Sequence, residues 1–461
     1  MSVPSAVIAT PVTHKRQLVS WLETGAKSRE RWRIGTEHEK FVFDSKTRKP
    51  VPYDGENGIG VLLDELIAFK WQPVTENGIL IGLKRGEEAI SLEPGGQLEL
   101  SGAPVTNLHQ TAAELGHHLD EVGSVGRVLG LSTMGLGFHP SAKREQIPWM
   151  PKDRYKIMRE YMPKVGQLGL DMMLRTCTVQ VNLDFSDERD MVQKMRVSLA
   201  LQPIATALFA NSPFREGIPT GDLSHRMRIW HDTDPDRYHP LDFVFHPGFG
   251  FERYVDWALS VPMYFAIREG RYVNLTGASF LDFMEGKLEQ LPGDVATLAD
   301  WADHLTTLFP PVRLKRYIEM RGADMGSYEM TLALPALWTG LLYDSIALDE
   351  ASELIADWSG QDRAQLHRAA PKLRLDSMVG LRSVRQIAKD MVDIAGRGLA
   401  RRAVADMDIL DESTYLEPLR TILERGSTQA EEWLRRYFDE WGQSVEPIFT
   451  AAALTGNPAT P

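Results

Sequence analysis

Four short stretches of the chain alternate apolar and polar residues with the period of two that marks a half-buried strand. They are Trp32–Phe43, Ile90–Ser101, Thr176–Phe185 and Arg316–Arg321. Between them apolar residues return every three or four positions. That spacing predicts helices over Gly58–Lys70, Val105–Val128, Lys152–Leu168 and Asp190–Ala210, after an opening helix in residues 14–30 with Leu18, Trp21 and Leu22 inward. Beyond about residue 290 the helical spacing dominates, over 294–309, 328–358, 378–403 and 414–441. No internal repeat or low-complexity linker divides the chain. The pattern therefore predicts a flexible tail at 1–13 and a single domain over 14–455, mixed sheet and helix to about 325 and mainly helical after. One-faced strands of this kind belong to an α+β fold with an antiparallel sheet covered on one side. Residues 211–250 break the pattern with Pro, Gly, Asp and His and carry Arg226, Arg228, Trp230 and Arg237, so they are read as a functional lid.

The polar faces of the four strands hold unusual residues. Residues two apart on a strand share a face, which sets Glu37 beside Glu39, Gln97 beside Glu99 and Ser101, and Thr178 beside Gln180, Asn182 and Asp184. Glu319 shares a face with Arg321, and Glu93 stands just before a Pro94-Gly95-Gly96 break of the kind that marks a bulge. Each strand alone has a bland alternative: a solvated edge, a glycine turn or a local ion pair. Together they give a sheet face with several carboxylates and an arginine. Clustered carboxylates repel each other and lose hydration near an apolar wall. Such a face suits hard cations bound through oxygen, Mg²⁺ or Mn²⁺, together with an anionic ligand such as a nucleotide.

Composition narrows the field. The 461 residues are 43% hydrophobic and 25% charged, an ordinary globular balance that excludes disorder of the whole chain. A formal charge of −12 gives no electrostatic basis for nonspecific nucleic-acid binding. The single cysteine, Cys177, forms no internal disulfide and no Cys-based zinc site, and with 18 methionines it suits a reducing, cytoplasmic location. The N-terminus lacks the charged start of a signal peptide, and the longest apolar run, Val197–Ala210, is interrupted by Gln202 and Pro203, so a soluble protein without a membrane partner is expected. The chain contains no G-x-x-x-x-G-K-[ST] loop and no G-x-G-x-x-G after a strand, so any use of ATP rests on another scaffold.

Several segments resemble those of the plant-type glutamate–cysteine ligases. They are GTEHEKF from Gly35, YDGENGIGVLL from Tyr53, SLEPGGQLELSGAP from Ser91, MGLGFHP from Met134, the long block RYKIMREYMPKVGQLGLDMMLRTCTVQVNLDFS from Arg154, RIWHDTDPDR from Arg228, YIEMRGAD from Tyr317 and LPALWTGLLYD from Leu334. The resemblance implies a glutamine-synthetase-like fold, a curved, mostly antiparallel sheet with the active site on its concave face and helices on the other. It implies ATP-dependent joining of the glutamate γ-carboxylate to the cysteine amine through a γ-glutamyl phosphate, the first step of glutathione synthesis. On that resemblance Glu37, Glu39, Glu93, Glu99, Glu319 and Gln180 are metal ligands, with Asn182 completing the shell, and Glu319 and Arg321 are catalytic, Arg321 meeting the transferring phosphoryl group. Arg154 and Arg226 bind glutamate carboxylates, Trp230 and Tyr264 wall the pocket, and Thr178 and Asn182 contact substrate. ATP is the co-substrate, glutamate and cysteine are the small-molecule partners, and a monomer or homodimer is expected. Plant relatives carry regulatory disulfides that a chain with one cysteine cannot form internally. Other readings of the same face are a ligase with a different amine acceptor, a metal-dependent phosphohydrolase and a noncatalytic scaffold.

Overall fold

The computed structural model describes residues 10–402 and 411–454. Among them, nine strands form the main sheet: β1 Ile34–Asp44, β2 Gln72–Glu76, β3 Ile79–Arg85, β4 Glu88–Leu92, β5 Leu98–Ser101, β6 Leu131–Met134, β7 Thr178–Leu183, β8 Val312–Leu314 and β9 Ile318–Asp324. The order is β8-β9-β7-β1-β5-β4-β3-β2, with β6 on the C-terminal end of β1. Each of these pairings is antiparallel.

Directly opposed residues share a face, so the register identifies the polar one. Glu37 opposes Ser101 and Gln180, Glu39 opposes Glu99, Glu99 opposes Ser91, and Asn182 and Arg313 both oppose Glu319. The other face carries buried Val179, Val181, Leu183, Ile318, Met320, Leu98 and Leu100. Helices Leu108–Leu129, Glu188–Leu208 and Tyr328–Leu342 pack behind β1, β9 and β7. On β1 that back face is polar yet buried. The Lys40 ammonium lies 2.9 Å from His118 Nε2 and donates to the Leu98 carbonyl at 3.3 Å, and burial pushes the amine down to about 7.

Three expectations change. The strand expected over Ile90–Ser101 is two strands, β4 and β5, joined by a tight turn. Gly96 there has φ +82°, and a Cβ on Gly95 would lie 2.4 Å from the Leu174 carbonyl oxygen, so the sequence Pro-Gly-Gly closes a hairpin rather than bulging one strand. Residues 10–13 are not a loose tail: Val12 is fully buried and its N–H donates to the Ala296 carbonyl at 2.8 Å. Residues 1–9 of the expected tail, and residues 403 and 455, lie outside the described residues. The 211–250 segment is packed rather than open. It holds a short helix, His225–Trp230, whose Ser224 side chain caps Met227 N–H, and its Arg226, Asp234 and Arg237 are buried.

The C-terminal part is helical, with Val384–Arg402 crossing Tyr328–Leu342 so closely that a Cβ on Gly398 would meet the Gly340 carbonyl oxygen at 1.9 Å. No single helix among the described residues is long and apolar enough to cross a membrane.

Candidate active site

The polar face divides into an acidic and a basic half. In the acidic half, β1 presents Glu39, β5 presents Glu99, and the β4–β5 turn presents Glu93. Ser91 Oγ donates to Glu99 at 2.7 Å, and the Thr178 N–H donates to Glu39 at 2.9 Å. Burial, then the charges of Glu93 and Glu99, raise the Glu39 carboxyl well above its ordinary range, and burial and Glu99 raise that of Glu93. Buried Lys152 donates to the Leu92 carbonyl at 2.8 Å, and burial against the pull of Glu93 brings it to about 8. Crowded, desolvated carboxylates are the donor set of a hard cation. Among the described residues no three His, Cys, Asp or Glu side chains close on one point as a ready cage. Mg²⁺ needs none, since it takes one or two carboxylates and fills its octahedron with water and phosphate oxygens.

In the basic half the carboxylate of Glu319 is already matched by the protein's own cations. Glu319 is fully buried, and its oxygens accept from Arg313 Nε at 2.7 Å, Arg313 Nη2 at 2.9 Å and Arg321 Nη1 at 2.7 Å, with Lys315 Nζ at 3.4 Å. Burial alone would raise its carboxyl; Arg313, Lys315 and Arg321 instead hold it well below the usual range. A carboxylate has about four acceptor directions, and these are spent. Glu319, expected as a metal ligand and catalytic group, is therefore the anchor of a cation cluster. Gln180 joins it: its side-chain oxygen, the atom a metal would need, accepts from Arg321 Nη1 at 2.6 Å. At the border of the halves, Asn182 donates to Glu37 at 2.8 Å, leaving its own side-chain oxygen without a hydrogen-bond partner among the described residues.

Strand β9 changes register against β7 between Met320 and Ala323. The irregularity exposes the Arg321 carbonyl, which accepts from Arg226 Nη2 at 2.9 Å. Arg226 is 2% exposed, and its Nε and Nη1 are buried donors with no partner among the described residues. Trp230, one helical turn on, stacks on Tyr238 at 5.8 Å between ring centres and meets Phe309 edge-on at 5.6 Å. Two expected contacts shift. The Thr178 hydroxyl is taken by the Ala323 carbonyl at 2.8 Å, so it pins β7 to β9 instead of reaching for substrate. Tyr264 lies in the core, 3.5 Å under the Arg237 guanidinium and 3.3 Å from Asp234. Its neighbour Phe265 lines the cavity in its place, as alternation at the start of strand Phe265–Arg268 requires.

Two cavities open on the polar face and share Ala89. One, of about 460 Å³, includes Lys27, Arg33, Glu37, Lys84, Ser101 and Asn182. The other, of about 410 Å³, includes Ser91, Lys152, Arg154, Phe265, Tyr272 and Asp303. Arg154 lies within the field of Glu93 and Arg226 within that of Glu39.

The model of glutamate–cysteine ligase family 2 (GCS2) matches residues 33–451. The chain belongs to this family. It is similar to the chloroplastic glutamate–cysteine ligases of Brassica juncea, at 54% identity over 96% of this chain and 85% of the relative, and of Nicotiana tabacum, at 52% over 96% and 84%. The ligase of Arabidopsis thaliana is also 52% identical over 96% and 84%. Among solved structures, the glutamate–cysteine ligase of Francisella tularensis in complex with AMP matches with a TM-score of 0.52 over 89% of this chain and 85% of that one. At 12% identity that likeness is one of fold, and it agrees with the α+β, glutamine-synthetase-like architecture expected for the ligase family. One expectation is overturned. The relatives named above are chloroplastic, which points to a plastid and away from the cytoplasm inferred from the single cysteine. Cys177 itself is free and buried, so its reduced state reports packing rather than compartment.

The ligase site also contains residues that the strand pattern did not mark: Arg313, Lys315 and Lys152. For the first two a signal existed, because Val312-Arg313-Leu314-Lys315 alternates with period two.

Proposed function

We propose that the chain joins the γ-carboxylate of L-glutamate to the amine of L-cysteine with ATP, through a γ-glutamyl phosphate, releasing ADP and phosphate. The observation that carries the reading is the division of one sheet face into a crowded acidic half and a cation cluster, in a chain of this family. The first half gathers negative charge that suits a bound cation and the second offers positive charge, the two requirements of phosphoryl transfer.

Glu37, Glu39, Glu93 and Glu99 would hold Mg²⁺. When bound, the metal neutralises phosphate charge. The remaining work falls to the chain's own residues. Arg226, with two unpaired buried donors, and Arg154, in the neighbouring cavity, hold the glutamate carboxylates by charge-assisted hydrogen bonds. Trp230 and Phe265 exclude water on their sides. Arg321 and Lys315, held in place by Glu319, meet the negative charge of the phosphoryl group as it passes to the γ-carboxylate. The cysteine amine then attacks the acyl carbon, the C–N bond forms, and the C–O bond to phosphate breaks. The cavity with Lys27, Arg33 and Lys84, which Glu37 and Asn182 also line, takes the nucleotide.

The test is ADP release with ATP, Mg²⁺ and glutamate, with and without cysteine, followed by mass analysis of the product. Release that requires both amino acids and yields γ-glutamylcysteine is expected. Release indifferent to cysteine would move the activity to a phosphohydrolase, and a requirement for another amine would change the acceptor.

A further inference from the structure

One buried acid has no part in the chemistry above. Asp324 ends β9 and is 1% exposed. Its Oδ2 accepts from the Asn211 N–H at 2.9 Å and from Ser212 Oγ at 2.6 Å, and its Oδ1 from Ser224 Oγ at 2.8 Å. Both serines pass the constraint on. Ser212 Oγ accepts from the Arg226 N–H at 3.1 Å, and Ser224 Oγ from the Met227 N–H at 3.3 Å, so the first turn of helix His225–Trp230 hangs from one carboxylate. Space is tight on the far side, where a Cβ on Gly137 would come within 2.3 Å of Asp324 Cγ. Asn211 is fixed in turn by Trp433 Nε1, which donates to its side-chain oxygen at 2.6 Å from helix Gln429–Asp439.

The same strand also holds the other end of Arg226, since the Arg321 carbonyl takes its Nη2 at 2.9 Å. We propose that Asp324 is the positioning residue of Arg226: it fixes the backbone from which the guanidinium reaches, while the β9 irregularity three residues earlier fixes the guanidinium, so that Nε and Nη1 point at a substrate carboxylate. The strand that carries Arg321 thereby also sets the glutamate clamp, and the two cations move as one body. This rests on the assignment of Arg226 to glutamate made above.

The test compares Asp324→Asn, Arg226→Lys and the double variant Ser212→Ala/Ser224→Ala by steady-state kinetics and thermal melting. Asn keeps the shape of Asp but offers one acceptor oxygen instead of two. Asp324→Asn is expected to raise the glutamate KM at least tenfold, as Arg226→Lys does, and to leave the ATP KM within twofold. A part that served only to stabilise the fold would lower the melting temperature and the active fraction without singling out glutamate. The double serine variant, expected to raise the glutamate KM three- to tenfold, carries the test if Asp324→Asn does not fold. An unchanged glutamate KM in the Asp324 and serine variants beside a raised one in Arg226→Lys overturns the inference alone. An unchanged value in Arg226→Lys overturns the assignment of Arg226 and the inference with it.

Discussion

Glu39 and Glu319 sit on the same face of the same sheet, two strands apart, and the protein treats them in opposite ways. Around Glu39 it gathers more acids, Glu93 and Glu99, and burial with their mutual repulsion drives the Glu39 carboxyl toward its protonated form. Around Glu319 it gathers Arg313, Lys315 and Arg321, and the carboxylate stays ionised despite complete burial. One half crowds carboxylates whose mutual repulsion a bound cation would relieve. The other is complete without one and presents surplus positive charge. The strand pattern shows both glutamates as equivalent. What separates them is which strand is the neighbour: β5 brings an acid opposite Glu39, and β8 brings an arginine opposite Glu319.

Neutralising each glutamate is the strongest way to break this comparison. Glu319→Gln takes from Arg313, Lys315 and Arg321 the carboxylate they share and is expected to destabilise the chain by about 3–5 kcal/mol, the usual cost of removing one partner from a buried ion cluster. Glu39→Gln removes repulsion, so stability is expected to stay level or rise by about 1 kcal/mol, while turnover falls by about a hundredfold or more. Urea midpoints and ADP release on both variants give the result. Destabilisation of similar size in the two would erase the distinction between the halves. Next in size is the response to metal. Mg²⁺ with a nonhydrolysable ATP analogue at about one hundred times its Kd is expected to stabilise the native chain by about 2.7 kcal/mol. Glu99→Gln is expected to lose most of that gain in a thermal shift assay, and a full gain in that variant would take the metal away from the acidic half.

Much of this site was legible from period-two alternation, because a face is fixed by side-chain geometry alone. Glu37, Glu39, Glu99, Gln180, Asn182, Glu319 and Arg321 all fall on the predicted face. Pairing is not local, and so the partners were not legible. Nothing in YIEMRGAD says that Arg313 will lie opposite Glu319, and the short alternating run Val312–Lys315 was overshadowed by the helix before it. The hairpin of β2 and β3 was missed although Asn77 and Gly78, both at positive φ, form the turn that an Asn-Gly pair favours; its strands mix polar and apolar residues without clean alternation. Tyr264 and Thr178 were assigned to substrate by resemblance. The structure shows each satisfied by the protein, Tyr264 under Arg237 and Thr178 on the Ala323 carbonyl.

The smallest expected effect sharpens the comparison from outside the sheet. Asp303, on helix Leu298–Thr306, shares the cavity of Arg154, and burial raises its carboxyl to about 6 although Arg154 pulls the other way. The folded chain therefore keeps a proton there that the unfolded chain releases near pH 4. Stability from this group is intact below about pH 4, declines as pH rises toward 6, and is fully lost above it. Asp303→Asn removes the titration. After allowance for the amide's own desolvation, the variant is expected to be about 1–2 kcal/mol more stable than the native chain at pH 8 and indistinguishable from it near pH 4, as read from urea midpoints. That outcome would place Asp303 with the acidic half and leave the Arg154 guanidinium available for a substrate carboxylate. A variant less stable at pH 8 would mean that Arg154 is already paired in the manner of Arg313 with Glu319, and glutamate would then have one clamp, Arg226, instead of two.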